Sequence, residues 1–409
     1  MLLIKNAKIV GEKGQKDILI KNGIYIKIEN NIVPEEGYEI IDAQGSIVTP
    51  TFVNPHMHLD KVYTAVQGRK SKEETLEESI TIMHEAKRNY TVEDVKTRAV
   101  RAIRECVSFG TTKIRTSVDI DNIIGLIGLK GVIEAKKECK DICDIQVVAF
   151  PQEGIYNNEG TEELLWEAME YGADLIGGMP AAEYTDKYSK KHVDLVFEIA
   201  KKYDVDIDMH IDQTKDIFAR SLEYTAMRSY EEGYQGRVTG GHCTSITYQT
   251  DAHAKKVMEL LKLVDFNICT NPQVLAIMGI DPEPRTRGVT RIREMVDMGI
   301  NIATAQDTIC DGFHIYGQGD PLDYGLLLAY VAQYNTPERV KVVYDMITKN
   351  AAKIHRLKKY GIEVGNKADL NIIDAVNIQE AFRTRADRSY VIKDGKVIVK
   401  NKSNTEYLI

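Results

Sequence analysis

Eight short apolar runs, most of them separated by a helix-length segment, dominate the middle of this chain and restrict its architecture more than any other feature. They are Val48 to Val53, Thr111 to Val118, Ile145 to Phe150, Leu175 to Gly178, Asp206 to Ile211, Arg237 to His242, Phe266 to Thr270 and Ile300 to Ala305. Between them, Val92 to Phe109, Glu162 to Tyr171, His192 to Tyr203, Asp251 to Leu263 and Arg291 to Met298 repeat apolar residues at three- and four-residue spacing, the pattern of an amphipathic helix. Strands alternating with helices predict a parallel sheet, and eight of them predict an α/β fold of the (β/α)8 TIM-barrel type. An open doubly wound sheet is the alternative, although the first β-α turn lacks the Gly-x-Gly-x-x-Gly cradle that a dinucleotide needs.

The ends have another texture. Leu2 to Ile4, Lys8 to Val10, Asp17 to Ile20, Tyr25 to Ile28 and Ile47 to Thr49 are β-type runs broken by turn residues. Near the other end, Leu370 to Ile373 and Tyr390 to Ile392 read as strands, and Asp394-Gly395 before Val397-Ile398 is a hairpin turn signal. Neither end can bury a core alone. We therefore expect one small β-sandwich domain built from residues 1–49 plus 359–409, and a barrel over residues 50–358.

His56-Met57-His58 closes the first strand candidate. Residues two apart on a strand point the same way, so both imidazoles can face one ion. His210, His242 and Asp307 also stand at the ends of apolar runs, and in a barrel the carboxyl ends of the strands gather the chemistry. A nitrogen-rich set with one carboxylate suits Zn or Fe(II), with Mn also compatible. The fourth strand candidate, ending Gly177-Gly178-Met179-Pro180, has no lysine to bridge two ions, so one divalent metal is expected. His84, His192, His253, His314 and His355 lie mostly in helical or loop text and are read as structural.

A formal charge of -8 and a pI near 5.7 argue against nucleic acid or an anionic membrane as partner and favour a small-molecule substrate. Lys190-Lys191 and Lys201-Lys202 read as solvated helix faces. Six cysteines, at 106, 139, 143, 243, 269 and 310, show no zinc-knuckle spacing; Cys139 and Cys143 would share one face if helical. Buried free thiols in a reducing cytoplasm are the expectation. The opening Met-Leu-Leu-Ile-Lys-Asn lacks a signal peptide's plan, and no apolar run approaches the roughly 20 residues of a membrane helix.

Four stretches carry a resemblance: Thr-Pro-Thr-Phe-Val-Asn-Pro-His-Met-His-Leu-Asp from Thr49, Val-Val-Ala-Phe-Pro-Gln-Glu-Gly-Ile from Val147, Gly-Val-Thr-Arg-Ile-Arg-Glu-Met from Gly288, and Val-Gly-Asn-Lys-Ala-Asp-Leu from Val364. Together they resemble the amidohydrolase superfamily, and within it the cytosine deaminase branch, over nearly the whole chain. The resemblance implies that His56, His58, His210 and Asp307 bind the metal, that His242 stands beside the attacking water, and that Asp307 takes the water's proton. It implies further that Gln152 hydrogen-bonds a ring amide of the substrate, for which an amide side chain offers one donor and one acceptor. A homo-oligomer is implied by the same relatives.

Two positions depart from that branch. Gln213 stands where cytosine deaminases carry a proton-shuttling glutamate, and Thr308 replaces the carboxylate that follows the metal-binding aspartate. An amide cannot relay protons. Asp212 or Asp60 is a candidate substitute carboxyl group. Lys61, three residues after His58, is similar to the pattern of the N-isopropylammelide isopropylamidohydrolases, in which a lysine there meets the substrate. The expected activity is metal-dependent cleavage of a carbon-nitrogen bond, releasing ammonia or an amine from a small N-heterocycle or cyclic amidine. The alternatives are hydrolysis of an N-alkyl or cyclic amide, and a non-catalytic metal-binding sensor of the same fold.

Overall fold

The computed structural model describes every residue except 67, 278–288, 404, 405, 407 and 409, so Gly288 of the third matching stretch lies outside the described residues. The chain begins with β1 (Leu2–Ile9), β2 (Lys16–Lys21), β3 (Ile24–Glu29), β4 (Glu39–Asp42) and β5 (Ile47–Pro50). Two expected runs, Leu2 to Ile4 and Lys8 to Val10, are one strand interrupted by a register shift between Ile4 and Ala7. Asn6, at φ 56°, takes the left-handed conformation that an Asn tolerates better than most residues. After the shift Ala7 still pairs with Lys16 of β2, and β1 then pairs through Lys8 and Ile9 with β5.

Eight parallel strands follow: β6 (Phe52–Met57), β7 (Thr111–Asp119), β8 (Asp144–Phe150), β9 (Leu175–Gly178), β10 (Ile207–Ile211), β11 (Val238–His242), β12 (Asn267–Thr270) and β13 (Asn301–Thr304). They lie side by side in chain order, and Met57 bridges Asp307 to bring the first strand against the end of the last. At that seam the His58 N–H donates to the Asp307 carbonyl at 2.9 Å, and the Asp307 N–H to that of His56 at 3.1 Å. Every residue of β7 is buried, as a strand with packing on both faces requires.

The covering helices are α1 (Leu76–Lys87), α2 (Val92–Ser108), α3 (Ile127–Glu138), α4 (Thr161–Tyr171), α5 (Asp186–Tyr203), α6 (Ser221–Glu231), α7 (Asp251–Leu263), α8 (Pro272–Ile277), α9 (Ile292–Asp297), α10 (Pro321–Val331), α11 (Pro337–Met346) and α12 (Lys349–Ile354). Threonine hydroxyls start many of them. Thr75, Thr91, Thr185, Thr250 and Thr336 each accept the N–H three residues on, satisfying a donor that the helix cannot. In α2 the buried Val95, Ala99, Ala102, Ile103 and Cys106 form the stripe that faces the barrel. Beyond α12 come β14 (Leu370–Ile373), α13 (Ile378–Thr384), β15 (Arg388–Lys393) and β16 (Lys396–Lys400).

The second sheet runs β16-β15-β14-β5-β1-β2-β3, with β4 on β1, so both ends of the chain build it. Ile4, Ile18, Ile20, Tyr25, Val48, Leu370, Ile372 and Ile392 share its core. Asp394-Gly395 joins β15 to β16 as the sequence predicts. The run Val48 to Val53 is a correction: it divides between two sheets, with β5 pairing β14 through Pro50 and the barrel starting at Phe52. Cys139 and Cys143 do not share a helical face, because α3 ends at Glu138. All six cysteines are free, five of them buried. Among the described residues, no helix is long and apolar enough to cross a membrane.

Candidate metal centre and substrate edge

Each candidate metal ligand stands at the carboxyl end of its strand. His56 lies in β6 with His58 just beyond it, His210 lies in β10, and Asp307 follows β13 across the seam. All four are buried, and one ligand atom from each falls within 4.8 Å of the others. His58 Nε2 is 3.0 Å from His210 Nε2, and Asp307 Oδ1 is 3.4 Å from both His56 Nε2 and His58 Nε2. Ligand bonds of about 2.0–2.2 Å at tetrahedral angles put donor atoms roughly 3.3–3.6 Å apart, so this spacing fits one ion at the centre. His56 Nε2 is buried without a hydrogen-bond partner, an orphan that an ion satisfies. Gly241 in β11 makes room for the ring, since a Cβ there would lie 3.0 Å from His56 Cε1.

The electrostatics favour ligation. Burial, reinforced by the Lys61 charge, pushes the His58 imidazole down to about 4, and burial holds His210 well below its ordinary value. Neutral imidazole is the form that binds a metal. Burial alone would raise the Asp307 carboxyl, but the neighbouring His242, His56 and His58 imidazoles outweigh it and hold the group well below the usual carboxylate range. Phe150, the last residue of β8, stacks on the His210 ring at 4.1 Å and fixes its tilt.

His242 ends β11 with its ring 4.8 Å from that of His210 and 5.1 Å from that of His56. Both of its ring nitrogens are buried without partners, and burial pushes it down to about 3. His242 and Asp307 both adopt φ 67°, a left-handed conformation uncommon for these residues that aims the backbone at the strand ends.

Lys61 and Gln152 come together. The Lys61 ammonium donates to Gln152 Oε1, lies 3.4 Å from His58 Nδ1, and pairs with Asp119 Oδ1 at 2.8 Å. Lys61 is thus buried beside the candidate metal ligands and not a solvated loop lysine. Gln213 is half-buried in the loop after β10. Thr308 is buried, and its hydroxyl donates to Asp311 Oδ2 at 2.7 Å. Asp311, whose carboxyl burial pushes up to about 6, therefore brings a carboxyl group next to the position from which the sequence had lost one. Each candidate substitute commits Oδ2 to a backbone N–H and leaves Oδ1 buried without a hydrogen-bond partner. Asp212 Oδ2 accepts the Leu222 N–H at the start of α6 at 2.9 Å, and Asp60 Oδ2 accepts the Asp119 N–H at 3.1 Å. Burial raises both carboxyls, Asp212 to about 6 and Asp60, with Asp119 adding to the effect, to about 7.

A second group of carboxylates, Asp119, Asp121 and Glu153, also converges closely enough to hold an ion. Its centre is taken by a protein cation: Lys87 Nζ lies 2.5, 2.9 and 2.9 Å from Asp119 Oδ2, Asp121 Oδ2 and Glu153 Oε1. Sequence reasoning missed this group and Asp311. The available signals were the i, i+2 carboxylates Asp119 and Asp121 at a strand end, and Glu153 next to Gln152. His84, read as structural, bonds Glu153 Oε2 at 3.0 Å, and His192 bonds Glu183 at 2.8 Å.

A profile of the amidohydrolase family matches residues 65–399. The chain is 33% identical over 406 residues to the N-isopropylammelide isopropyl amidohydrolase of Pseudomonas sp. (strain ADP), covering 98% of each protein. It superposes on the crystal structure of 5-methylcytosine deaminase from Klebsiella pneumoniae liganded with 5-fluorocytosine with a TM-score of 0.94 and 32% identity, over 99% of both chains. With N-isopropylammelide isopropylaminohydrolase from Burkholderia multivorans the TM-score is 0.87 at 26% identity, over 98% of both chains.

Proposed function

The chain belongs to the amidohydrolase family, and from that footing we propose that it hydrolyses the bond between a small nitrogen heterocycle and an exocyclic amino or alkylamino group, releasing ammonia or an amine. The observation that carries this reading is the juxtaposition of Lys61 and Gln152 beside the four-ligand centre, which presents hydrogen-bonding groups to a ring held over the ion. His56, His58, His210 and Asp307 would hold one divalent cation, Zn or Fe(II) by donor chemistry, with Mn also compatible. The chemistry such a cation supplies is a water acidified enough to attack near neutral pH.

The remaining work falls to side chains of this chain. Asp307 keeps Oδ1 toward the imidazoles, which leaves Oδ2 to take the proton of the attacking water and return it to the departing nitrogen. His242, with both ring nitrogens unengaged, steadies the oxygen as it adds to the ring carbon. Lys61 and Gln152 hold the ring edge by hydrogen bonds that the ground state and the transition state share. Gln213 positions the ring without relaying a proton, so the proton path runs through Asp307.

The test is release of ammonia or alkylamine by metal-replete protein across cytosine, isocytosine, creatinine, pterin, aminotriazines and their N-isopropyl forms, with Asp307→Asn as the blank. Release that vanishes in the variant supports the reading. A ring-opened carboxylate would replace it with cyclic-amide hydrolysis, and ligand binding to the metal-loaded protein without any product would replace it with a sensor.

A further inference from the structure

The geometry points to Lys87 as a positioning residue for the substrate edge: its ammonium holds Lys61 and Gln152 in place through two different carboxylates. The inference rests on the functional reading above only for what that edge binds.

Lys87 is the last residue of α1, and its side chain is fully buried. Of the three carboxylates on it, two lead to the candidate site. Asp119 is shared between two cations, with Oδ2 2.5 Å from Lys87 and Oδ1 2.8 Å from Lys61. Glu153 takes Lys87 at 2.9 Å and is the direct chain neighbour of Gln152, inside the turn in which the Gly154 N–H donates to the Pro151 carbonyl at 3.1 Å. Since Lys61 itself donates to Gln152 Oε1, the path Lys87, Asp119, Lys61, Gln152, Glu153 and back to Lys87 is closed. A closed path over-determines the position of each member. A ring pressing on Gln152 or Lys61 meets the stiffness of α1, β7 and the β8 turn together.

The third partner has a different task. Asp121 Oδ1 accepts the N–H groups of Ile123 and Ile124 at 2.8 and 3.0 Å, so it ties Lys87 to a loop and not to the substrate edge. Protonation states agree with a permanently charged cluster. Against the burial that would lower it, the charges of Asp119, Asp121 and Glu153 raise Lys87 well above its ordinary value. Against the burial that would raise it, the bond from His84 and the charge of Lys87 hold Glu153 at about 2. The Lys87 ammonium is spent on Asp119, Asp121 and Glu153 and not on His56, His58, His210 or Asp307, so its effect on metal content and on the substrate edge can be separated.

Interactions that hold a substrate equally in its ground and transition states appear in KM more than in kcat. Lys87→Met should therefore raise KM for the best panel substrate about tenfold or more, with kcat changed less than about threefold and metal still at one equivalent. Lys87→Arg should recover part of the loss, and Asp121→Asn, which keeps the Oδ1 acceptor, should stay within about twofold of wild type. If Lys87→Met does not fold, Glu153→Ala breaks one arm of the path at its least buried charged member and should raise KM about three- to tenfold. Crystal structures of metal-loaded wild type and variant give a readout independent of turnover: Lys61 Nζ should part from Gln152 Oε1. Unmoved Lys61 and Gln152, or a fall in kcat with KM unchanged, overturns the inference. Failure of the wild type to release any amine overturns the functional reading instead, and leaves the positional comparison valid.

Discussion

Arg115 crosses the barrel beneath the metal ligands, and its replacement by Met tests how the interior charge is balanced. Its Nη1 pairs with Asp208 Oδ2 at 2.8 Å, Nη2 donates to the Ile354 carbonyl at 2.7 Å, and Nε to Gln146 Oε1 at 3.0 Å. Arg115 and Asp208 are both buried, and burial raises the Asp208 carboxyl although Arg115 opposes the shift. Without the guanidinium, the least costly response is for Asp208 to take a proton. Neutralising a carboxyl of ordinary value near 3.9 costs about 4.2 kcal/mol at pH 7 and about 1.5 kcal/mol at pH 5. The pH 7 figure falls within the roughly 3–5 kcal/mol found when one partner of a buried pair is removed. For a chain of 409 residues, about 2.1 cal/mol/K of unfolding entropy per residue turns that loss into a Tm drop of about 5 °C. Urea denaturation of Arg115→Met at both pH values should show the larger loss at pH 7, and adding Asp208→Asn should remove most of the difference. An equal loss at both pH values, or a double variant no more stable than the single one, would refute the reasoning.

Two further outcomes concern the site itself. His242→Asn should retain metal at one equivalent by elemental analysis while kcat falls by about 10²–10³-fold, whereas loss of metal would make His242 a ligand. Chelator-treated protein should lose stability in mild acid, because burial holds His58 at about 4 and His242 at about 3 in the folded chain against 6.5 when exposed. Both folded values lie below the unfolded one, so this stability is fully present above pH 6.5 and is lost as pH falls through about 4, at up to roughly 1.4 kcal/mol per pH unit for each group. Denaturation midpoints that stay flat from pH 7 to 4.5 would contradict the assignment of neutral, buried imidazoles.

The barrel was legible because its strands are buried on both faces and so appear as unbroken apolar runs, with β7 the clearest case. The convergence of His56, His58, His210, His242 and Asp307 was legible for a related reason, since strand ends mark one face of a barrel and all five fall there. The same continuity hid the division of Val48 to Val53, because an apolar run carries no mark of where one sheet yields to another. The start of α5 was read six residues late: its first turn, Asp186 to Ser189, is polar and owes its helicity to the Thr185 cap more than to any apolar stripe. The Lys87 cluster was hidden by distance. Its members lie in α1, in and after β7, and after β8, and only the closure of the barrel makes neighbours of them.

The seam between β6 and β13 also sets when the candidate ligand set is complete. His56 and Asp307 are the first and last candidate ligands along the chain, and they meet only when the eighth strand docks on the first. A chain still emerging from the ribosome carries His56, His58 and then His210 before the Asp307 carboxylate that completes the set. The four-donor set is therefore complete only once the barrel has closed, and an ion that needs all four donors would lock a closed barrel and not template an open one.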